Sequence, residues 1–250
     1  MVEIKTPKEI EKIRKASNIV AEVLCGIKKK IKPGVSTAQL NEFAEDQIAR
    51  RGGICAFLGY RGYPAALCVS INEEVVHGIP DKKRFIREGD VVSVDLGCVF
   101  ENYYGDAALT VGAGKITAEH KKLIEAAEQA LDRAISAVKK GARLGDVSHA
   151  IEKCAAAYGM SVIREFTGHG IGRKLHEEPS IPNFGSPGTG IVLESGMTLA
   201  IEPMLSLGRG DVSIKKDGWT AVTADGSCSA HFEHTLCVTD TGCEVLTAGI

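Results

Sequence analysis

The chain has 250 residues, of which 44% are hydrophobic and 25% charged, and its net charge is −2. This length allows one large domain or two small ones with a full core, and the near-neutral balance gives no reason to expect nucleic acid or an anionic membrane as partner. The opening residues MVEIKTPKEIEKIRK are charged throughout, so no signal peptide is expected, and no run of about 18 apolar residues exists to span a membrane.

In chain order, Thr6 to Lys30 is predicted helical, with Ile10, Ile13, Ile19, Val20, Val23, Leu24 and Ile27 at spacings of three and four. Pro33 and Gly34 break it, and Thr37 to Arg51 forms a second helix closed by Gly52 and Gly53. The β-like stretches AALCVSIN and DVVSVDLGCVF follow, the latter turning near Glu101–Asn102 into a returning strand, YYGDAALTVG. The plan then repeats. TAEHKKLIEAAEQALDRAISAVKKG reads as a long amphipathic helix ended by Gly141, and RLGDVSHAIEKCAAAYG as a shorter one closed by Gly159. Leu40 and Val147, Glu45 and Glu152, Ala49 and Ala156, and Gly52 and Gly159 correspond at one offset of 107 residues. Strands are expected again in MTLAIEPML, WTAVTAD and AHFEHTLCVTD.

This order predicts an α+β, two-layer architecture, with helices packed on a mainly antiparallel sheet. A single domain, 1–250, is expected, made of two halves at about 1–112 and 113–250 with a cleft at their junction. The eight cysteines are scattered and none forms a C-x-x-C pair, so reduced thiols in a cytoplasmic protein are expected rather than a zinc or disulfide framework.

The informative residues are acids placed among apolar strand residues. Asp95 follows Val91, Val92 and Val94; Glu202 follows Leu199, Ala200 and Ile201; Glu233 lies in HFEHTLCV and Asp106 in YYGDAALTVG. Taken singly, each reads as a solvent-facing strand residue. Taken together they fit that reading badly, because their neighbours are nearly all apolar and Pro203 suggests that the Glu202 strand is interrupted. Carboxylates sharing one site would repel by about 4 kcal/mol per pair at 4 Å and an effective dielectric of 20. Two divalent cations would balance four carboxylates. His169, between Gly168 and Gly170 in EFTGHGIGRKLHEEP, is the candidate nitrogen ligand, with the glycines expected to free the backbone so that the ring turns inward. Oxygen ligands with one imidazole suit Co²⁺, Mn²⁺, Fe²⁺ or Zn²⁺ without choosing among them, and a pair of such ions is a hydrolytic device that acidifies a shared water.

Asp95, Asp106, His169, Glu202 and Glu233, in this order and with NEEVVHGIP, GHGIGRKLHEEP, IEP and EHT around them, resemble the type I methionine aminopeptidases over nearly the whole chain. The start so near the first helix resembles the short bacterial form. The resemblance implies the pita-bread fold, whose pseudo-twofold halves agree with the repeat. It implies that Asp95 binds one ion, that Asp106 and Glu233 bridge two, and that His169 and Glu202 complete the second ion's shell, with Glu202 moving the proton of the attacking water. It also implies that His176 donates to the scissile carbonyl oxygen, that His77 contacts the reacting amide, and that Tyr60, Tyr63, Cys68, Leu175 and Trp219, with Phe57 nearby, wall a methionine pocket. Leu175 replaces the phenylalanine usual before the second histidine, and Phe57 stands where many bacterial members have cysteine. The substrates implied are N-termini of nascent proteins and peptides that begin with Met and carry a small second residue. A cytoplasmic monomer is expected, with the ribosome an open candidate partner.

Beside this reading stand a helix-rich interaction domain with surface acids, which ignores the resemblance and predicts no tight divalent binding, and two alternatives on the same fold. One is a proline-directed aminopeptidase or creatinase-like hydrolase of the same fold, which usually carries a large N-terminal domain. The other is a non-catalytic binding protein on this scaffold, which would have lost ligands that this chain keeps. Of the remaining histidines, His120 and His149 read as surface or cap residues, His231 shares the strand face of Glu233, and His234 faces away.

Overall fold

The structure is a computed structural model that describes residues 2–250. Helix α1, Pro7–Lys30, begins at a reciprocal cap. Thr6 Oγ1 accepts from the Glu9 N–H, the Glu9 carboxylate accepts from the Thr6 N–H, and Pro7 takes the first helical position. Lys28, Lys29 and Lys30 occupy the last turn, where they complement the helix dipole. Helix α2, Thr37–Arg50, starts at the same device, built from Ser36 and Gln39. Helices α3, Ala118–Ala137, and α4, Leu144–Tyr158, form the second pair, and Gly159 closes α4 in the left-handed conformation.

Helix α3 stops four residues short of the predicted Gly141. Val138 turns extended at the C-cap and buries its side chain to 2% exposure, and Gly141, at φ 86°, serves the turn that follows. Burial of one β-branched side chain thus outweighs the polar, helix-compatible run VKK.

The main sheet has nine antiparallel strands. Ile54–Cys55, Val91–Phe100, Tyr103–Gly112, Glu233–Val238, Thr198–Ile201, Thr167–Gly170 and Glu177–Pro182 lie side by side in that order, Leu67–Ile71 also pairs with Val91–Phe100, and Cys243–Val245 also pairs with Glu233–Val238. Glu101 and Asn102, at φ 49° and 65°, make the tight turn between the two longest strands where the sequence places it. Two stretches expected as β are broken, one where Pro203 suggests it and one where no residue does. MTLAIEPML splits into Thr198–Ile201 and Met204–Ser206, and AHFEHTLCVTD into Ser229–His231 and Glu233–Val238. In each case the first and second pieces belong to different sheets. Glu202 therefore lies just past a strand end and Glu233 opens a strand, rather than both sitting in strand interiors.

Helices α1 and α2 pack Leu24, Ile27, Leu40 and Ile48 against Leu67, Val69, Val94 and Leu96. Helices α3 and α4 pack Leu123, Leu131, Val147 and Ile151 against Leu199, Ile201, Leu236 and Val238. The α+β architecture of helices on an antiparallel sheet is thus present. The 107-residue offset also recurs in the backbone. The Gly34 N–H donates to Ile86 O at 2.8 Å, and the Gly141 N–H to Leu193 O at 2.9 Å. The bridge Ser36–Phe85 corresponds to Arg143–Val192, and Gly52 and Gly159 have φ values of 73° and 74°. Asp95 and Glu202 are one more pair at the same offset. Among the described residues no helix is long and apolar enough to cross a membrane.

Candidate metal centre and active site

Strand register brings the acids to one place. Asp95 is paired with Ala108, and Ala108 in turn with Glu233, so the two carboxylates flank a small residue on one sheet face. Asp106 stands two residues from Ala108 on that same face. Glu202 reaches in from the break after Ile201, and His169 from the neighbouring strand, where it pairs with Ala200. One ligand atom each from Asp106, His169 and Glu233 lies within 4.8 Å of the others. His169 Nε2 is 3.6 Å from Glu202 Oε1 and 4.0 Å from Asp106 Oδ2.

These groups lack partners of their own. Asp95 Oδ1, Asp106 Oδ1, Glu233 Oε1 and His231 Nε2 are buried without a hydrogen bond. An orphaned buried carboxylate oxygen carries a full desolvation cost, which protons or a bound cation relieve. Burial, reinforced by neighbouring carboxylates, pushes Asp95 up to about 7 and holds Asp106 and Glu233 well above the ordinary carboxylate range. Burial alone pushes Glu202 up to about 8. His169 donates from Nδ1 to Gly170 O at 2.8 Å, which leaves the Nε2 lone pair aimed at the acids. Burial, with His176 nearby, holds His169 down to about 3, so the imidazole is neutral as a ligand must be. The donor set fits a hard or borderline divalent ion.

The glycines around His169 act differently from expectation. None of Gly168, Gly170 and Gly172 has a positive φ. A Cβ at Gly168 would fall 2.4 Å from Ala200 O, and one at Gly170 2.1 Å from Glu178 O. They permit close backbone approach between strands rather than an unusual turn.

Beside the acids lies a pocket lined by Phe57, Tyr60, Tyr63, Cys68, Leu175 and Trp219, together with His77 and His176. Ala56, Phe57, Tyr63, Ala65, Cys68 and Leu175 form one apolar cluster, with Tyr60 and Trp219 packed against it. Cys68 is the strand partner of Asp95, so the pocket adjoins the carboxylates. The Tyr63 and Trp219 rings meet edge to face at 5.2 Å. The His176 ring lies 4.3 Å from that of His169, tilted by 50°, and its Nδ1 lies 2.8 Å from the Tyr60 hydroxyl. His77 sits at φ 60° with its ring edge-on to Phe166 and Trp219, and burial, with His231 and His176 adding to it, lowers it to about 4. Every predicted site residue therefore lines or borders one cavity.

The model of metallopeptidase family M24 matches residues 11–240. A methionine aminopeptidase of Clostridium acetobutylicum is 46% identical over 99% of both chains. The crystal structure of a methionine aminopeptidase from Thermotoga maritima superposes with a TM-score of 0.98 at 50% identity, covering 100% of both chains. The chain belongs to the methionine aminopeptidases of metallopeptidase family M24. A prolidase from Pyrococcus furiosus shares the fold, with a TM-score of 0.77 at 23% identity, but this chain covers only 66% of it. The proline-directed alternative is thus not favoured. Membership in a metallopeptidase family implies divalent metal, and the Asp106, His169 and Glu233 cluster is a candidate site for it.

At the methionine aminopeptidase site, one residue carries no sequence signal and another is placed by the sequence only in part. Arg61, exposed at φ 51°, lines the pocket, and its charge adds to burial in holding His176 below its ordinary value. A lone Arg in YRGYP carries no signal that it faces a cavity. His231 Nε2 lies 3.6 Å from Glu202 Oε2. The HxE spacing puts His231 near Glu233 but gives no sign of Glu202, and the strand break at Phe232 means that His231 and Glu233 do not share a continuous strand face.

Proposed function

We propose that this methionine aminopeptidase removes the N-terminal methionine from proteins and peptides with a small second residue, using two divalent ions held by Asp95, Asp106, His169, Glu202 and Glu233. The observation that carries this reading is the abutment of orphaned carboxylates on an apolar, aromatic-edged pocket. The pocket suits an unbranched thioether. The neutral Cys68 thiol, whose pKa burial raises well above the ordinary value, presents no charge to it.

Bound at these residues, the ions supply Lewis-acid chemistry that acidifies water and polarises a peptide carbonyl. The protein's own groups do the rest. Glu202 has one oxygen near His169 and the other near His231, a placement that suits it to take the proton of the attacking water and pass it to the leaving amine. The Tyr60 hydroxyl donates to His176 Nδ1, so Nε2 keeps its proton and donates to the carbonyl oxygen as charge develops there. His77, which burial lowers to about 4 and so keeps neutral at working pH, contacts the reacting amide. Phe57, Tyr60, Tyr63, Cys68, Leu175 and Trp219 enclose the methionine side chain.

We further place the enzyme in the cytoplasm as a monomer, where new protein N-termini arise, within a single domain of halves at about 1–112 and 113–250. Co²⁺, Mn²⁺, Fe²⁺ and Zn²⁺ all suit the donor set. The test is a panel of Met-X peptides on exhaustively chelated protein with each ion restored in turn. Activity should vanish on chelation, return with Co²⁺ or Mn²⁺, and favour Met-Gly and Met-Ala over Met-Lys. Undiminished activity after chelation would remove the metal model, and equal rates across the panel would remove the substrate assignment.

A further inference from the structure

We infer that Lys5 is a positioning residue for His176, acting through Glu177. The claim rests on the reading of His176 given above and adds how that imidazole is held.

Lys5 lies in the short segment before α1, only 3% exposed, with its backbone N–H on Gly196 O at 2.9 Å. Its Nζ is 2.6 Å from Glu177 Oε2 and 2.8 Å from Glu3 Oε2. The other oxygen of Glu177 accepts from the Lys174 N–H at 3.0 Å. One carboxylate thus closes the turn from Lys174 to Glu177, and the two residues inside that turn are Leu175 and His176. Gly172 leaves the space this pair fills, since a Cβ there would stand 2.4 Å from Lys5 Cε and 3.0 Å from Glu177 Oε1. The same loop is tied to α1 again by Arg173 Nη2 on Glu9 Oε1 at 2.9 Å, and to the sheet by the Tyr104 N–H on Gly172 O at 2.9 Å.

A buried lysine is a poor choice for stability alone, because an apolar residue of similar volume often does as well. What the ammonium adds is a fixed orientation of Glu177, and through it of the backbone that carries His176. The His176 ring is itself exposed and has one side-chain hydrogen-bond partner in the protein, Tyr60. Its placement therefore depends on the loop, and a misplacement of about 1 Å can lower a rate by about 100-fold.

The test is steady-state kinetics on a Met-Ala peptide with the metal-loaded full chain. Lys5→Met should lower kcat by about tenfold or more, with KM within about twofold and metal content unchanged. Lys5→Arg, which keeps the charge, should recover most of the loss. In a His176→Ala background, Lys5→Met should have almost no further effect on kcat, because residues acting through one another are not additive. Hydrogen exchange in the metal-free protein should show the Lys174 amide losing protection in Lys5→Met. If Lys5→Met fails to fold, Glu177→Gln is held to the same criteria. Wild-type kcat in the single variant, or losses that multiply in the double variant, would overturn the inference. A wild-type chain that cleaves no Met peptide would instead overturn the functional reading.

Discussion

Asp95 and Glu202 stand 107 residues apart, at corresponding places in the two halves, yet their backbones are held very differently. Asp95 sits inside a ten-residue strand whose residues all pair with the strand carrying Asp106. Glu202 sits in a gap between strands of different sheets, directly before Pro203, and Glu233 follows a second gap at Phe232. In the first half the ladder fixes both carboxylates. In the second the chain crosses between sheets at each carboxylate, and these crossings admit His231 beside Glu202. A shared plan thus places acids at corresponding positions, one inside a continuous ladder and the other at a strand break with two imidazoles 3.6 Å away.

The sharpest way to break this comparison is to neutralise the two corresponding acids separately. Asp95→Asn should act mainly by lowering metal content, since it is Glu202 that has imidazole nitrogens of both His169 and His231 at 3.6 Å. Glu202→Gln, compared at matched metal occupancy, should be slower than wild type by on the order of 1000-fold, within the range of a lost general base. Metal analysis combined with single-turnover rates distinguishes the two. Equal turnover of both variants at matched occupancy would mean that the strand break gives Glu202 no distinct role.

The histidines contributed by the two halves give the next contrast. His77 is packed between Phe166 and Trp219 on a strained backbone, whereas His176 is an exposed ring held by Tyr60 and its loop. His176→Ala should reduce kcat by about 100-fold, the scale of one lost donor to a developing oxyanion. Metal content should hold, because His176 is an exposed ring whose Nδ1 is engaged by the Tyr60 hydroxyl rather than by the carboxylates. Loss of metal from that variant would move His176 into the ligand set and dissolve the contrast.

Much of this was legible in the residues. Helix starts were visible because caps and periodicity are local, as in the Thr6 and Ser36 boxes. The four acids were visible because charge in an apolar run demands a reason. The strand breaks at Glu202 and Phe232 were only half visible, since Pro203 signals one and nothing local signals the other. The glycines near His169 were noticed but misread, because whether a glycine serves φ or close approach depends on a strand far away in sequence, Glu177–Pro182 for Gly170. Lys5 was invisible for the same reason: its partner Glu177 is 172 residues away.

The smallest expected effect tests the part of the comparison where the halves agree. Gly52 and Gly159 close α2 and α4 at nearly the same left-handed φ, and a Cβ at Gly159 would meet nothing within 4 Å, while one at Gly52 would meet only the Phe100 ring at 3.8 Å. Space is therefore not the issue at either site, and alanine suffers only the backbone penalty of the left-handed region, about 1–2 kcal/mol. Gly52→Ala and Gly159→Ala should each lower stability by about that amount in urea unfolding, with kcat unchanged. Near-equal losses would show that the two halves share their caps energetically as well as geometrically. A marked inequality would mean that one helix end is carried by its neighbours instead of by its glycine, so that the symmetry of the scaffold stops at the backbone angles.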